Sequence, residues 1–309
     1  MKSPSIIFMG TPEFAVPALK ALHDAFGLAA VVSVPDKQAG RGRSMQCSAV
    51  SREAEKLGIP LYKPQDLRDP SFISSLASLK PDIIVVIAFR ILPREVYSIA
   101  RLGSFNIHGS LLPKYRGAAP IQWAIINGEQ QTGLTSFLLN DAVDTGSIVE
   151  QIEISIDPDM TSGELFTALM NPAAELAIQT CNALLNGNAN PISQDDTLAT
   201  PAPKIFRDTC KIDWNKTAVD INNLIRGANP KPGAWTTFND RTFKILKARI
   251  NNAEPNLQPG SYIISDSDVT VGTGNGLISL LVIQEEGKPK MPIADFLRGY
   301  RGVKEGIFS

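Results

Sequence analysis

Six consecutive residues, Ile83-Ile84-Val85-Val86-Ile87-Ala88, constrain this chain more than any other stretch. They are uninterrupted, apolar and mostly β-branched, too short for a stable helix, and they offer no polar face to water. A strand of that kind has to be covered on both sides, which is the condition of a parallel sheet flanked by helices. Parallel strands need long crossover connections, and the neighbouring sequence supplies them. Ile6–Met9 is another apolar run, ended by Gly10-Thr11-Pro12; Phe14, Val16, Leu19 and Leu22 then recur at helical spacing, and Leu28–Val34 is apolar again. Helices are expected over Ala49–Leu57, Ser71–Leu79 and Pro93–Ile99, with a short strand at Ile59–Tyr62. This alternation predicts a doubly wound, mostly parallel α/β sheet of right-handed βαβ units. Its first turn lacks the second and third glycines of G-x-G-x-x-G, so a dinucleotide fingerprint is absent.

Further along, Ala118–Asn127 reads as a helix and Thr132–Leu139 as a half-exposed strand. A loop, Asn140–Gly146, leads to a second strand, Ser147–Ile156, so this pair is expected to extend the sheet as a hairpin. Thr161–Leu185 is a long helix opening on a Thr161/Glu164 capping pair, and Pro172 inside it predicts a kink or break. Asn186–Lys204 is poor in hydrophobic residues and rich in Asn, Pro, Asp and Thr, the composition of a linker. Beyond it come a helix at Val219–Arg226 and strands near Trp235–Phe238, Phe243–Ile250, Ser261–Ile264, Val269–Thr273 and Leu277–Ile283. Five short strands punctuated by turn residues predict a small β-barrel of the OB-like kind. The expected domains are residues 1–189, a linker at 190–206, and a C-terminal barrel at 207–309.

Composition narrows the function. At 309 residues the chain can bury two cores. Its net charge of −1 divides unevenly: residues 205–309 hold 14 Lys and Arg against 11 Asp and Glu, and residues 1–204 hold 16 against 20. A basic C-terminal part hints at an anionic partner. Cys47, Cys181 and Cys210 are scattered without a C-x-x-C pair, which fits a reducing compartment and argues against a disulfide framework or a zinc ribbon. With two histidines and no H-x-x-x-H spacing, no metal site is expected. There is no serine in a G-x-S-x-G elbow. The N-terminal apolar run is too short for a signal peptide, and no stretch approaches the ~20 apolar residues of a membrane span. A cytoplasmic protein with no membrane partner is expected.

Asn106 and His108 lie two apart where an expected strand ends, so their side chains share one face. In open α/β sheets the carboxyl ends of the strands are where ligands bind. An amide there can donate to an oxygen that becomes negative, and an imidazole can take or give a proton near neutrality. Asp144, in the Asp-Thr-Gly of the 140–146 loop, could orient that imidazole. On the residues alone, a satisfied polar strand end is favoured over a reaction site. His23, in the last turn of a helix, suits the dipole there and reads as structural. The Pro35–Ser48 loop carries Lys37, Arg41, Arg43 and two glycines, which suits a moving phosphate contact; a plainly solvated loop is the open alternative.

The segment FNIHGSLLPKYRGAAPIQWAIINGE, followed by the Asp-Thr-Gly loop, resembles the formyltetrahydrofolate-dependent formyltransferases. GTPEFAVPAL, PDKQAGRGR and KIDWNKTAVDINNLIRGANPKPGAW are similar to the members that formylate methionine on initiator tRNA. The resemblance implies a Rossmann-like catalytic domain, 10-formyltetrahydrofolate as donor, and methionyl initiator tRNA as acceptor. It implies Asn106, His108 and Asp144 as the catalytic trio. It sets the folate along Ser110, Leu111, Leu112 and Pro113 and against Phe89 and Ile91. Phe89-Arg90 stands where a Tyr-Gly pair is expected, so the folate contacts there depart from the family pattern. For tRNA the resemblance implies Arg41 and Arg43 on the loop, with Lys211, Lys244, Lys247 and Arg249, and also Arg207, on the barrel. A monomer is expected. The rival readings are formylation of a small amine such as a UDP-aminosugar, hydrolysis of the folate donor, and a non-catalytic folate- or tRNA-binding module.

Overall fold

The structure, a computed structural model, describes residues 3–39, 44–251 and 257–308. In chain order the first strands and helices are β1 (Ile6–Gly10), α1 (Val16–Phe26), β2 (Leu28–Val32), β3 (Lys37–Ala39), β4 (Ser44–Gln46), α2 (Ala49–Lys56), β5 (Leu61–Tyr62) and α3 (Pro70–Ser78). They are followed by β6 (Ile83–Ile87), α4 (Arg94–Tyr97), β7 (Gly103–His108), α5 (Pro120–Ile126), β8 (Gln131–Leu138), β9 (Ile148–Ser155) and α6 (Ser162–Leu185).

Seven of these strands form one sheet in the order β5-β2-β1-β6-β7-β8-β9. β5, β2, β1, β6 and β7 are mutually parallel, and β8 and β9 continue the sheet antiparallel. The all-apolar β6 lies between β1 and β7 with every residue buried, as its lack of a polar face requires. Alternation sorts the side chains. Ile7, Met9, Ile84 and Val86 pack on one face with Phe72 and Leu76 of α3 and Val96 of α4. Each such aliphatic side chain, taken from water into the core, contributes about 1.5–3 kcal/mol.

Three elements differ from the sequence expectation. The ends of the Pro35–Ser48 loop pair as an antiparallel ribbon, Lys37 opposite Gln46 and Gln38 opposite Met45. Each of these strands is only three residues long, too short for a sequence period to announce it. α6 runs through Pro172 without ending. Proline denies the Ala168 carbonyl its usual bond. The helix nevertheless continues, because Leu165, Leu169, Ala173, Leu176, Ala177 and Cys181 form a buried stripe on both sides of the break point. Its start is capped as the sequence suggested: Thr161 N–H donates to Glu164 Oε2 (2.8 Å) and Glu164 N–H donates to Thr161 Oγ1 (3.3 Å). The third element is the stretch expected as a linker. Ile192 pairs with Ile148, and Pro201 with Arg116, so residues 192–201 are held along the sheet unit.

The chain gathers into two compact units, one of Met1–Pro120, Gln131–Ser155 and Phe166–Ala202, the other of Ile121–Gln130, Ile156–Leu165 and Pro203–Ser309. Residues 190–202 thus cluster with the first unit and 203–206 with the second. The second unit adds α7 (Ala218–Gly227), β10 (Ala234–Phe238), β11 (Arg241–Asn251), β12 (Ser261–Ile264), β13 (Val269–Gly272), β14 (Leu277–Glu285), β15 (Met291–Pro292), α8 (Ile293–Gly299) and β16 (Glu305–Ile307). Its antiparallel sheet runs β10-β11-β14-β13-β12-β16, with β15 added to β14. Among the described residues the edge strands β10 and β16 do not pair with each other, so the sheet is a curled half-barrel. Trp214, Phe238, Phe243, Tyr262, Phe296 and Phe308 fill it, with Trp214 stacked on Phe308 at 5.5 Å. Among the described residues no helix is long and apolar enough to cross a membrane.

Candidate functional site

β7 is an inner strand, and near its end Asn106 sits between Val86 of β6 and Phe137 of β8. The His108 ring is buried, and its Nε2 lies 2.7 Å from the carbonyl oxygen of Tyr115. A carbonyl only accepts, so Nε2 carries the hydrogen and the tautomer is set. The other ring nitrogen, Nδ1, faces Asp144 Oδ2 at 3.7 Å, within ion-pair range and beyond a direct hydrogen bond. The Asn106 amide is half-buried and makes no side-chain hydrogen bond among the described residues.

Asp144 comes to this place by a reversal. β8 runs antiparallel to β7 and ends with Leu138 opposite Phe105, three residues back from His108. The loop after it has to fold over to bring a carboxylate to the ring. Asp144 itself is in the left-handed region (φ 56°), which Asp tolerates better than most residues. Its Oδ2 accepts from the Gly117 N–H at 2.8 Å. Two glycines are obligatory here. A Cβ on Gly146 would fall 1.6 Å from the Leu138 carbonyl oxygen, and one on Gly117 (φ 128°) would fall 2.6 Å from that of Ala202.

The turn after β7 is built around Thr135 of β8, which is fully buried. Its hydroxyl donates to the Ser110 carbonyl (2.7 Å) and accepts from Leu112 N–H (3.0 Å) and Gln151 Nε2 (2.8 Å). Gln151 Nε2 also donates to the Leu112 carbonyl at 3.0 Å. Of the four turn residues expected to meet folate, Ser110 and Leu112 are buried, and the Ser110 hydroxyl is spent on the Lys114 carbonyl (2.6 Å). Leu111 and Pro113 are half-exposed. Phe89, just past β6, is half-buried, and Ile91 is 77% exposed.

Two further residues at this site carry no sequence motif. Gln194 Nε2 donates to the carbonyls of Asp144 (3.0 Å) and Gly146 (2.8 Å). Thr200 accepts from Tyr115 N–H through its hydroxyl (2.9 Å) and from Arg116 N–H through its carbonyl (2.9 Å). Both belong to the polar stretch expected as a linker, whose composition conceals their partners.

A family model described as "Formyl transferase" matches residues 4–181, and one described as "Formyl transferase, C-terminal domain" matches residues 204–301. The chain belongs to the formyl transferase family. A methionyl-tRNA formyltransferase of Chlorobium chlorochromatii is 43% identical over 309 residues, covering 98% of both chains. One of Thermodesulfovibrio yellowstonii is 43% identical and covers 99% of both. Among solved structures, the sugar 3N-formyl transferase WlaRD aligns at TM-score 0.70 with 18% identity, over 94% of this chain and 100% of its own. The methionyl-tRNA formyltransferase from Clostridium thermocellum aligns at 0.57 with 17% identity, over 81% and 95%. At those identities the structural likeness speaks for the fold alone. Asn106, His108 and Asp144 fall inside the first matched region of the formyl transferase, whereas Gln194 and Thr200 fall between the two.

Arg90, in the Phe89-Arg90 pair, has a structural use in this formyl transferase. The Arg90 guanidinium donates to the carbonyls of Pro64 (2.8 Å) and Gln65 (3.0 Å), tying the end of β6 to the segment after β5. Burial holds its pKa below the ordinary arginine value, and its Nε is buried without a hydrogen-bond partner. The side chain is therefore turned to the scaffold. Arg41 and Arg43 lie outside the described residues. In the second unit Lys211 and Lys244 flank Trp235: Lys211 Nζ is 5.6 Å from its ring centre, and Lys244 pairs with it across β10 and β11 while donating to the Pro232 carbonyl (2.8 Å). Arg207 lies over the same ring at 4.8 Å. Lys247 and Arg249 follow beyond an irregularity in β11; Lys247 is exposed, and Arg249 is 3.9 Å from Asp268.

Proposed function

We propose that this formyl transferase moves the formyl group of 10-formyltetrahydrofolate to the amino group of methionine on initiator tRNA. The observation that carries the acceptor is the end-to-end match, 98% of both chains at 43% identity, to a relative named methionyl-tRNA formyltransferase. Both units have counterparts in that relative, as a substrate with a remote anionic body requires.

The chemistry is one new carbon–nitrogen bond, one broken, and one proton moved. As the methionyl amine attacks the formyl carbon, the uncommitted Asn106 amide donates to the oxygen that gains charge. In this reading the two nitrogens of His108 have separate roles. Its Nε2–H is engaged with Tyr115, so proton transfer falls to Nδ1, the nitrogen facing Asp144. Nδ1 and the carboxylate carry the proton lost by the amine to the folate nitrogen that leaves. Ser110 and Leu112 hold the turn from within, and the half-exposed Leu111 and Pro113, with Phe89 and Ile91, form the apolar contact for the folate. Lys211, Lys247 and Arg249, with Lys244 beside Trp235, and Arg41 and Arg43 on the loop, meet tRNA phosphates, contacts that position without reading sequence and weaken steeply with salt.

The test is formyl transfer from 10-formyltetrahydrofolate to methionylated initiator tRNA, methionylated elongator tRNA and a UDP-aminosugar, measured side by side. Initiator tRNA is expected to be formylated fastest. Comparable transfer to the aminosugar, or release of formate at the same rate without an acceptor, refutes the proposal.

A further inference from the structure

The Gln194 side chain has all its hydrogen-bonding capacity in use. Its two N–H groups go to the Asp144 and Gly146 carbonyls, at 3.0 and 2.8 Å. Its oxygen accepts from Arg116 Nε and Nη2, at 3.0 and 2.7 Å. Two donors and two acceptor positions exhaust an amide. The orientation is unambiguous, since a flipped amide would set oxygen against two carbonyls and NH₂ against a guanidinium.

The two loops joined in this way are those that hold His108 and Asp144. Arg116 stands between Tyr115, whose carbonyl receives His108 Nε2–H, and Gly117, whose N–H meets the Asp144 carboxylate. On the other side, Gln194 grips the main chain of Asp144 itself, at a residue in the left-handed region with a neighbouring glycine pressed against Leu138. The gap between Nδ1 and Oδ2, 3.7 Å, is thus spanned by one loop, one amide and one guanidinium. Arg116 is itself braced, with Nη2 on Asp196 at 2.7 Å and its carbonyl accepting from Ala202 N–H at 2.7 Å.

We propose that Gln194 is a positioning residue for formyl transfer, setting the separation of the Asp144 carboxylate from His108 Nδ1 by tying the 144–146 main chain to Arg116. The inference rests on the proposed roles of His108 and Asp144. It accounts for a glutamine in a stretch that otherwise reads as a linker. Errors of about 1 Å in placing reacting groups cost up to ~10²-fold in rate, so the effect falls on kcat and leaves KM nearly alone.

Gln194→Glu separates the two ends of the bridge. It keeps acceptors for Arg116 and turns the donors toward Asp144 and Gly146 into repelling oxygens. Single-turnover formyl transfer to methionylated initiator tRNA by the full chain should slow about 10- to 100-fold, with KM for folate and tRNA within about twofold. Gln194→Met, which removes the bonds without repulsion, should slow in the same direction and guards against misfolding of the first variant, far-UV circular dichroism reporting the fold. The deciding measurement is made in an Asp144→Ala background. A residue that acts only through Asp144 has nothing left to position there, so Gln194→Glu should cost less than about twofold more. Full-rate Gln194 variants, or an undiminished loss in the Asp144→Ala background, overturn the inference. If Asp144→Ala alone leaves the rate unchanged, the underlying assignment of Asp144 fails instead, and the two failures are distinguishable.

Discussion

Replacing Thr135 by valine tests whether the turn after β7 is held by one hydroxyl. Valine matches threonine in shape, so no cavity opens and packing is preserved. The lost hydroxyl leaves the Ser110 carbonyl and the Leu112 N–H, both in buried bonds now, without those partners. Gln151 keeps its bond to the Leu112 carbonyl and relaxes little. An orphaned buried polar group costs roughly 1–3 kcal/mol, so two predict a destabilisation of about 2–6 kcal/mol, a sizeable part of the usual 5–15 kcal/mol total. Thr135→Ser keeps the hydroxyl and loses one methyl, about 0.8 kcal/mol. The probe matters. Trp123, Trp214 and Trp235, the chain's three tryptophans, all belong to the second unit, so their fluorescence does not report on this turn. Urea unfolding followed by far-UV circular dichroism, with native-state hydrogen exchange at the Leu112 amide, does. A valine variant within about 0.5 kcal/mol of the parent, with the Leu112 amide still protected, refutes the idea that Thr135 holds the turn.

Three other outcomes are expected. Asn106→Ala should lower kcat by about 10²–10³ with folate affinity little changed, and near-normal turnover in the transfer assay sinks the oxyanion role. Gly146→Ala should unfold or misplace the Asp144 loop, because the new Cβ would overlap the Leu138 carbonyl at 1.6 Å; thermal melting and activity check it, and a fully active, equally stable variant contradicts the packing. Burial pushes the Cys181 thiol from 9.0 up to about 12. The folded state therefore keeps a proton that the unfolded state releases, so this contribution to stability is whole below pH 9 and is lost as pH rises toward about 12. Denaturation midpoints should fall across that window less steeply in Cys181→Ala, and identical slopes in the two proteins contradict it.

Much of this architecture is legible without coordinates, for local reasons. An apolar, β-branched run such as β6 has few ways to exist other than as a buried parallel strand, and the helical spacings around it leave little choice of fold class. The Thr161/Glu164 cap and the shared face of Asn106 and His108 follow from periodicity and side-chain chemistry. The family resemblance of residues 105–129 pointed to Asn106, His108 and Asp144, and the fold brings His108 and Asp144 within 3.7 Å. Arg90, by contrast, looked like an intrusion into a ligand contact, and only its bonds to Pro64 and Gln65 show it to be scaffold.

What the amino-acid order determines by itself is which elements form and which residues carry reactive groups, since both depend on neighbours within a few positions. Tertiary structure alone decides which nitrogen of His108 is free, because that depends on a carbonyl seven residues away across a turn. It alone brings Asp144 back over β7 after β8 has run the opposite way. It alone turns a polar, linker-like stretch into the clamp made by Gln194 and Thr200, since an exposed-looking glutamine acquires meaning only from the two loops that happen to pass beside it. Hydrogen bonds between residues 50 or more positions apart leave no periodicity in the chain, and so they could be seen only once it was folded.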